Sequence, residues 1–248
     1  MYNPYTLLGK TVLVTGASSG IGRATAIICS KLGANLIVTG RNEARLQETC
    51  SQMGGDNNRY VICDLHNTEQ LDALICDIKE LHGLVCNAGT CITAPIQFIK
   101  EDRFKDLLQV NTISPIILLQ KILKKKLIKR GGAVVFTSSI AAMGVASHGN
   151  SMYSASKAAL GAYIQGAALE LGTKGIRVNA VCPGMIDTPL IHDGTFSEEQ
   201  LLEDKKEYPL GEFGKPEDIG YAIAYLLSDA AKWVTGTNLI VDGGRTLN

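Results

Sequence analysis

Short runs of apolar, β-branched residues alternate along the chain with longer segments whose apolar positions recur at helical spacing. Thr11 to Thr15 precedes Gly20 to Leu32, Asn35 to Thr39 precedes Asn42 to Met53, and Tyr60 to Cys63 precedes Thr68 to Leu81. The pattern continues with a strand at Gly83 to Cys86, two helical stretches between Lys100 and Lys129, a strand at Ala133 to Thr137 and a helix around Ser151 to Thr173. A strand at Arg177 to Val181, a helix around Pro216 to Leu227 and a strand at Asn238 to Val241 complete it. Such alternation predicts βαβ units, and hence an α/β protein with a doubly wound parallel sheet of about seven strands. Val12-Leu13-Val14 and Ala133 to Phe136 are apolar at every position, as strands covered by helices on both faces require. No repeat or Pro/Gly/Ser-rich linker interrupts residues 1–248, so one domain is expected. Only Ile186 to Leu210 departs from the rhythm, and a long polar excursion of this kind reads as a substrate lid.

Composition narrows the functional classes. With 46% hydrophobic residues in 248, a large buried core is available. Lys plus Arg equals Asp plus Glu at 24 each, which leaves no net field to hold nucleic acid or an anionic membrane. The basic run Lys124-Lys125-Lys126, with Lys129 and Arg130, reads as the cationic end of a helix before Gly131-Gly132. The 7 cysteines are scattered and form no C-x-x-C pair, so they read as small apolar residues of a reducing compartment. Met1 to Tyr5 lacks the charged and apolar regions of a signal peptide, and no apolar run approaches about 18 residues. A cytoplasmic protein with no membrane partner is expected. His66, His82, His148 and His192 are dispersed without metal-ligand spacing, so no metal is expected, although His148 and His192 are candidates to line a pocket.

Two constellations carry chemistry. The first strand runs into Thr15-Gly16-Ala17-Ser18-Ser19-Gly20-Ile21-Gly22 and then directly into a helix. Glycines let the backbone turn sharply and approach a pyrophosphate, and the helix start offers unpaired N–H groups and a positive dipole end. Three glycines at this spacing arise by chance roughly 0.3 times in such a chain, so the position after a first strand carries the reading. A structural turn without a ligand is the plainer alternative. The second constellation is Tyr153 and Lys157, four apart on one helix face. A phenol can give or take the proton that accompanies hydride transfer if its pKa falls by about 3, worth about 4 kcal/mol. One ammonium about 4 Å away supplies that much at an effective dielectric near 20. Such a pair arises by chance about half the time, so it too depends on context.

The turn Thr15-Gly16-x-x-x-Gly20-Ile21-Gly22, with Tyr153-x-x-x-Lys157, resembles the signatures of the short-chain dehydrogenases/reductases, and the likeness extends over essentially the whole chain. The resemblance implies a Rossmann-type fold and a nicotinamide-dependent oxidoreductase acting on a carbonyl or secondary alcohol. It implies that Gly16, Ser18, Ser19, Gly20, Ile21 and Gly22 hold the pyrophosphate and that Asp64 and Leu65 meet the adenine. Asn87-Ala88-Gly89 resembles the family's N-A-G motif beside the adenine ribose, and Pro183, Gly184, Ile186 and Thr188 resemble the segment at the nicotinamide end. Its catalytic set falls on Ser139, Tyr153, Lys157 and Asn111: the serine binds the substrate oxygen, and the asparagine holds a water between Lys157 and solvent. Ser139 stands 14 residues before Tyr153 where about 13 is usual in the family; Ser138, the alternative, stands farther still.

Cofactor choice follows from charge. An NAD-selective site places a carboxylate at the end of the second strand, whereas a 2′-phosphate is repelled there and welcomes arginine. Thr39-Gly40-Arg41-Asn42 offers Arg41 and no acid, which favours NADP(H) over NAD(H). Within the family the chain looks most like the 3-oxoacyl-acyl-carrier-protein reductase branch, where basic residues receive the acidic carrier; the matching positions are Arg130 and Lys174. The alternatives are an NAD(H)-dependent sugar-alcohol or hydroxysteroid dehydrogenase and, in another class, a non-catalytic dinucleotide sensor. Relatives are usually tetramers, and the small residues Ala158, Ala159, Gly161, Ala162, Gly166 and Ala167 permit close packing between copies or within the chain. In the excursion, Asp193, Glu198, Glu199 and Glu203 read as solvated lid residues, with Leu190, Ile191 and Phe196 as its apolar part.

Overall fold

Seven strands form one wholly parallel sheet in the order β3-β2-β1-β4-β5-β6-β7. They are β1 (Thr11–Thr15), β2 (Asn35–Gly40), β3 (Arg59–Ile62), β4 (Leu81–Cys86), β5 (Ile128–Thr137), β6 (Arg177–Pro183) and β7 (Asn238–Val241). Eight α-helices accompany them among the described residues: α1 (Gly20–Lys31), α2 (Glu43–Ser51), α3 (Thr68–Cys76), α4 (Glu101–Leu108), α5 (Ser114–Lys124), α6 (Ser151–Gly172), α7 (Glu198–Lys206) and α8 (Pro216–Leu227). The structure is a computed structural model that describes residues 2–192 and 197–248; Asp193 and Phe196, two of the residues assigned to the lid, lie outside it.

Strand alternation explains the layers. Leu13, Leu84, Val134 and Val178 point to one side, where they are buried with side chains of α3, α5 and α6. Val12, Val14, Val85 and Val135 point to the other, against α1, α2 and α8. Both faces are therefore dry, as the uninterrupted apolar strands require. The chain steps from β3 at one edge back to β4 beside β1, so the strand order reverses at the β1/β4 boundary. A crevice opens beyond the carboxyl ends of strands at such a point.

Several boundaries differ from the periodicity. The helix expected to reach Leu81 ends at Cys76, because the Leu81 N–H is already bonded to the Leu127 carbonyl at 2.8 Å at the start of the β4/β5 pairing. Lys126 takes a left-handed conformation (φ 56°) just after α5, and β5 begins at Ile128. Lys129 and Arg130 are thus strand residues, and Lys129 pairs with Glu80 at 3.3 Å; only Lys121 and Lys124 stand in the last turn of α5. The excursion contains α7, capped by Ser197 and Gln200 in a reciprocal box. Between α4 and α5 the helix widens into a π turn at Gln109–Ile113, a feature common at functional sites.

Candidate active site

A cleft of about 910 Å³ runs along the carboxyl ends of the strands. It is lined by every sequence-predicted site residue except Gly22 and Asn111, which stand just behind its wall. His66 lines it, whereas His148 and His192, the expected candidates, do not. His192 instead pairs with Asp187 at 2.7 Å on the surface.

The glycine turn is built by close approach. Gly16 adopts φ 65°, and a Cβ there would lie 2.8 Å from the Ala88 Cα. One at Gly22 would lie 2.2 Å from the Gly16 carbonyl oxygen and 2.5 Å from Asn87 Nδ2. Both positions therefore require glycine. Thr15 secures the junction: its hydroxyl donates to the Val85 carbonyl (3.2 Å) and accepts from the N–H groups of Asn87 (3.0 Å) and Ala88 (3.1 Å). Asn87 Nδ2 donates to the Thr15 carbonyl (3.2 Å), and its Oδ1 accepts from the Thr137 hydroxyl (3.1 Å). Thr15 and Asn87 thus tie β1, β4 and β5 together at the site. Ser19, at the N-cap of α1, makes no side-chain capping bond, so the first-turn N–H groups face the cleft. Thr188 packs over the turn, its Cγ2 3.1 Å from where a Gly20 Cβ would sit.

At the adenosine end, Arg41 lines the cleft with exposed side-chain surface, and Arg45, which the sequence reading did not single out, lines it one helical turn further on. Arg45 escaped notice because nothing local marks it; the Asn42 cap, whose side chain accepts from the Arg45 N–H at 3.0 Å, starts α2 at the cleft's edge, where Arg45 is exposed. Arg23 is committed elsewhere, forking onto Glu48 (2.9 and 2.8 Å) and bonding the Ser18 carbonyl (2.8 Å). No carboxylate stands at the end of β2.

At the other end, α6 presents Tyr153 and Lys157 to the cleft. Lys157 is 4% exposed, and its ammonium donates to the Thr137 carbonyl at 2.8 Å, 5.8 Å from the Tyr153 ring centre. That bond uses one of its three N–H groups. Ser138 donates to the Lys157 main-chain carbonyl at 3.3 Å, which commits its hydroxyl to α6. Ser139 accepts from the Ala141 N–H at 3.2 Å and stands beside the Tyr153 phenol. The π turn aims Asn111 inward at 1% exposure. Its amide spans two elements, accepting from the Thr90 N–H (2.9 Å) and donating to the Thr90 carbonyl (2.9 Å) and the Ser156 hydroxyl (3.1 Å). Ser156 in turn donates to the Tyr153 carbonyl at 2.7 Å. Gly89 lets this cluster close, since a Cβ there would meet Asn111 Oδ1 at 3.2 Å and Lys157 Nζ at 3.4 Å.

The expected lowering of the Tyr153 pKa by Lys157 is not found. Burial, reinforced by the Cys91 thiol, pushes the phenol above its ordinary range, and the neighbouring Ser139 hydroxyl pulls only part of the way back. Burial also brings the Lys157 ammonium down from 10.5 to about 8. For both groups burial is the largest cause, because the charged form loses hydration.

A nicotinamide dinucleotide fits this framework. The steric demand for glycine at positions 16 and 22, the open N-terminus of α1 and the two uncommitted Lys157 N–H groups are what a pyrophosphate and a ribose would use.

Site and fold together define a nicotinamide-dependent oxidoreductase, and the chain belongs to the short-chain dehydrogenase/reductase family: the family model described as enoyl-(acyl carrier protein) reductase matches residues 16–246. A 3-oxoacyl-[acyl-carrier-protein] reductase of Rickettsia prowazekii is 40% identical over 240 residues, covering 96% of this chain and 97% of that protein. The crystal structure of a dehydrogenase/reductase from Sinorhizobium meliloti superposes with a TM-score of 0.89 at 33% identity, over 98% of this chain and 97% of that one. A protein from Beutenbergia cavernae assigned as an NAD(P)-dependent gluconate 5-dehydrogenase, crystallised with NADP at low occupancy, gives 0.89 at 29% identity over 99% and 100%. Among the described residues no helix is long and apolar enough to cross a membrane.

Proposed function

We propose that this protein is an NADP(H)-dependent oxidoreductase that interconverts a 3-oxoacyl thioester and its 3-hydroxy form, with an acyl carrier protein as the natural bearer of the acyl chain. The observation that carries the reading is the convergence of the Ser139 and Tyr153 hydroxyls beside Lys157. Two donors aimed at one point suit a carbonyl oxygen, where charge develops as the carbon is reduced. In an enoyl thioester, the substrate class in the family model's description, the charge develops instead on the thioester oxygen, two carbons from the carbon that takes the hydride, so the substrate panel below separates the two reactions.

A bound NADPH supplies the hydride. Tyr153 gives the proton to the substrate oxygen, and its raised pKa keeps it protonated, in the acid form that reduction needs, across the neutral range. Ser139 holds the same oxygen. Lys157 positions the cofactor ribose with the N–H groups that Thr137 leaves unused and replenishes the Tyr153 proton. The Asn111 side chain bonds Thr90 and Ser156, so it holds the loop after β4 against α6.

NADP(H) is favoured because Arg41 and Arg45 face the adenosine end without an acid at the end of β2. The R. prowazekii relative supports the thioester substrate. Arg130 and Lys174 suit the acidic carrier: the Gly131 N–H donates to the Gly175 carbonyl at 2.8 Å, so the two exposed cations are neighbours. They stand at the opposite end of β5 from Ser139, and because β5 bulges against β4 between Ile128 and Ala133 the separation is roughly 20–25 Å at strand spacing. A carrier docked there would serve the cleft of a second copy, in keeping with a homotetramer.

The test follows NADPH oxidation with acetoacetyl-CoA, acetoacetyl-acyl-carrier protein, crotonyl-CoA, keto-gluconate and a ketosteroid, each repeated with NADH. Preference for NADPH and the 3-oxo thioesters is expected. Preference for crotonyl-CoA, or for a sugar acid with NADH, would replace this reading.

A further inference from the structure

The end of the chain brings a cation into the substrate half of the cleft. After β7, Asp242 accepts the N–H groups of Gly244 (3.0 Å) and Thr246 (2.7 Å). Gly243 and Gly244 take φ of 61° and 87°, which turns the chain back toward the lid. Arg245 is thereby placed on the cleft wall near Tyr208 and Asp204, in a cleft that Pro189 and Leu190 of the excursion also line. Tyr208 anchors this wall, its hydroxyl accepting from the Met185 N–H at 2.8 Å.

The Arg245 side chain is only 17% exposed, and its closest acid, Glu207, stands 3.8 Å away, beyond hydrogen-bond length. Among the described residues no acceptor takes any of its guanidinium N–H groups. Arg23 forks onto Glu48, and Arg177 donates to the carbonyls of Ser228 (3.2 Å) and Val234 (3.4 Å), so Arg245 differs from the other sequestered arginines. Its nitrogens stay open to the cleft rather than sealed in protein, so the charge is available to an anion that enters there. Its planar fork matches two oxygens of a carboxylate or phosphate.

We propose that Arg245 is a specificity-determining residue that receives an oxyanion, carboxylate or phosphate, carried by the substrate away from the reacting carbonyl. This rests on reading the cleft as a carbonyl-reduction site and names the substrate class further: an oxo compound with an anionic group on the lid side. Asp204, next to it, screens the cation and disfavours a second negative charge.

Two matched pairs of probes distinguish the source of the oxyanion: acetoacetyl phosphopantetheine against acetoacetyl pantetheine, and 4-oxopentanoate against its methyl ester. Binding to the protein saturated with NADP⁺ is measured by calorimetry for the wild type, Arg245→Met and Arg245→Lys. The wild type is expected to favour the anionic member of one pair at least tenfold, Arg245→Met to bring that pair near parity, and Arg245→Lys to keep part of the preference. The pair that shows the preference identifies phosphate or carboxylate. Parity in the wild type for both pairs overturns the proposal without reference to any variant. So does an Arg245→Met protein that weakens both members equally, which is how a purely structural arginine behaves. NADPH oxidation with the same compounds is scored separately: charge preference without turnover sinks the reductase reading and leaves the oxyanion site standing.

Discussion

The Lys157 ammonium donates a 2.8 Å hydrogen bond to the main-chain carbonyl of Thr137. That bond fastens the second turn of α6 to the last residue of β5, two positions before Ser139. With the Ser138 hydroxyl on the Lys157 carbonyl, it sets the separation between the strand end and the helix face from both sides. The candidate chemistry is thus held by regular elements, which fixes its geometry more tightly than loops would.

The same burial makes Lys157 a liability for stability. Its pKa falls from 10.5 in the unfolded chain to about 8 in the fold, so between those values the unfolded state binds more protons and stability rises with pH. Below about pH 8 the buried ammonium weakens the fold by about 3 kcal/mol. Lys157→Met in the cofactor-free protein is expected to gain 1–3 kcal/mol at pH 7, reduced by the loss of the Thr137 bond, and to lose that gain as pH rises toward 10.5. Urea unfolding across pH checks this; a gain that does not change with pH would contradict it.

Tyr153→Phe removes the proton donor and leaves the cofactor cradle intact. Turnover should fall by about 10³-fold or more while NADPH affinity stays within a few-fold. Ser139→Ala should lose about 10²- to 10³-fold in kcat. If Ser138→Ala were the more damaging of the two serine variants, the assignment made from the Ser138–Lys157 bond would be reversed.

Arg41→Glu places a carboxylate where the sheet end has none. The affinity for NADPH should fall about 100-fold, with NADH changed by no more than a few-fold, since only a 2′-phosphate meets the new charge. Equal losses for the two cofactors, measured by fluorescence titration, would remove Arg41 from the selectivity determinants. Arg45→Ala should show a smaller loss of the same kind.

The two-sided apolar strands and the glycine turn were legible in the sequence because each depends on local pattern: Val12-Leu13-Val14 needs only its own residues to be read. Asn111, Ser156 and Thr90 were harder, since their meaning comes from contacts across 21 and 45 positions that no periodicity reports. Lys129 and Arg130 were misjudged as helix-end cations because Lys126 breaks α5 by a left-handed turn that lysine rarely adopts. The electrostatics of Tyr153 failed for a related reason. Spacing along a helix shows that Lys157 is near, but only the packed structure shows that Lys157 is buried and Tyr153 partly so.

Gly22 offers a direct test of the cradle. A Cβ there would overlap the Gly16 carbonyl at 2.2 Å, and backbone cannot swing aside as a side chain does. Gly22→Ala is therefore expected to lower Tm by several degrees and to weaken NADPH binding at least tenfold. An alanine variant with unchanged cofactor affinity would show that the turn relaxes without consequence.

The exposed face of α6 bears on assembly. Ala158, Ala159, Ala162 and Gly166 are exposed rather than packed within the chain, and a Cβ at Gly166 would meet nothing within 4 Å. Beside them a hollow of about 210 Å³ is lined by Leu123, Tyr163 and Ala167, and Leu169 is 80% exposed. A face this smooth lets two helices approach closely, and the family resemblance implies a tetramer. On this basis the wild type should run at four times the chain mass in light scattering. Gly166→Ala separates the alternatives: in an isolated chain the added methyl stabilises an exposed helix by up to about 1 kcal/mol. Against a tightly packed second copy it crowds the contact, so Tm should fall and become more dependent on protein concentration. Ala162→Arg should then shift the mass to smaller species, and a wild type that already runs as a monomer would refute the assembly.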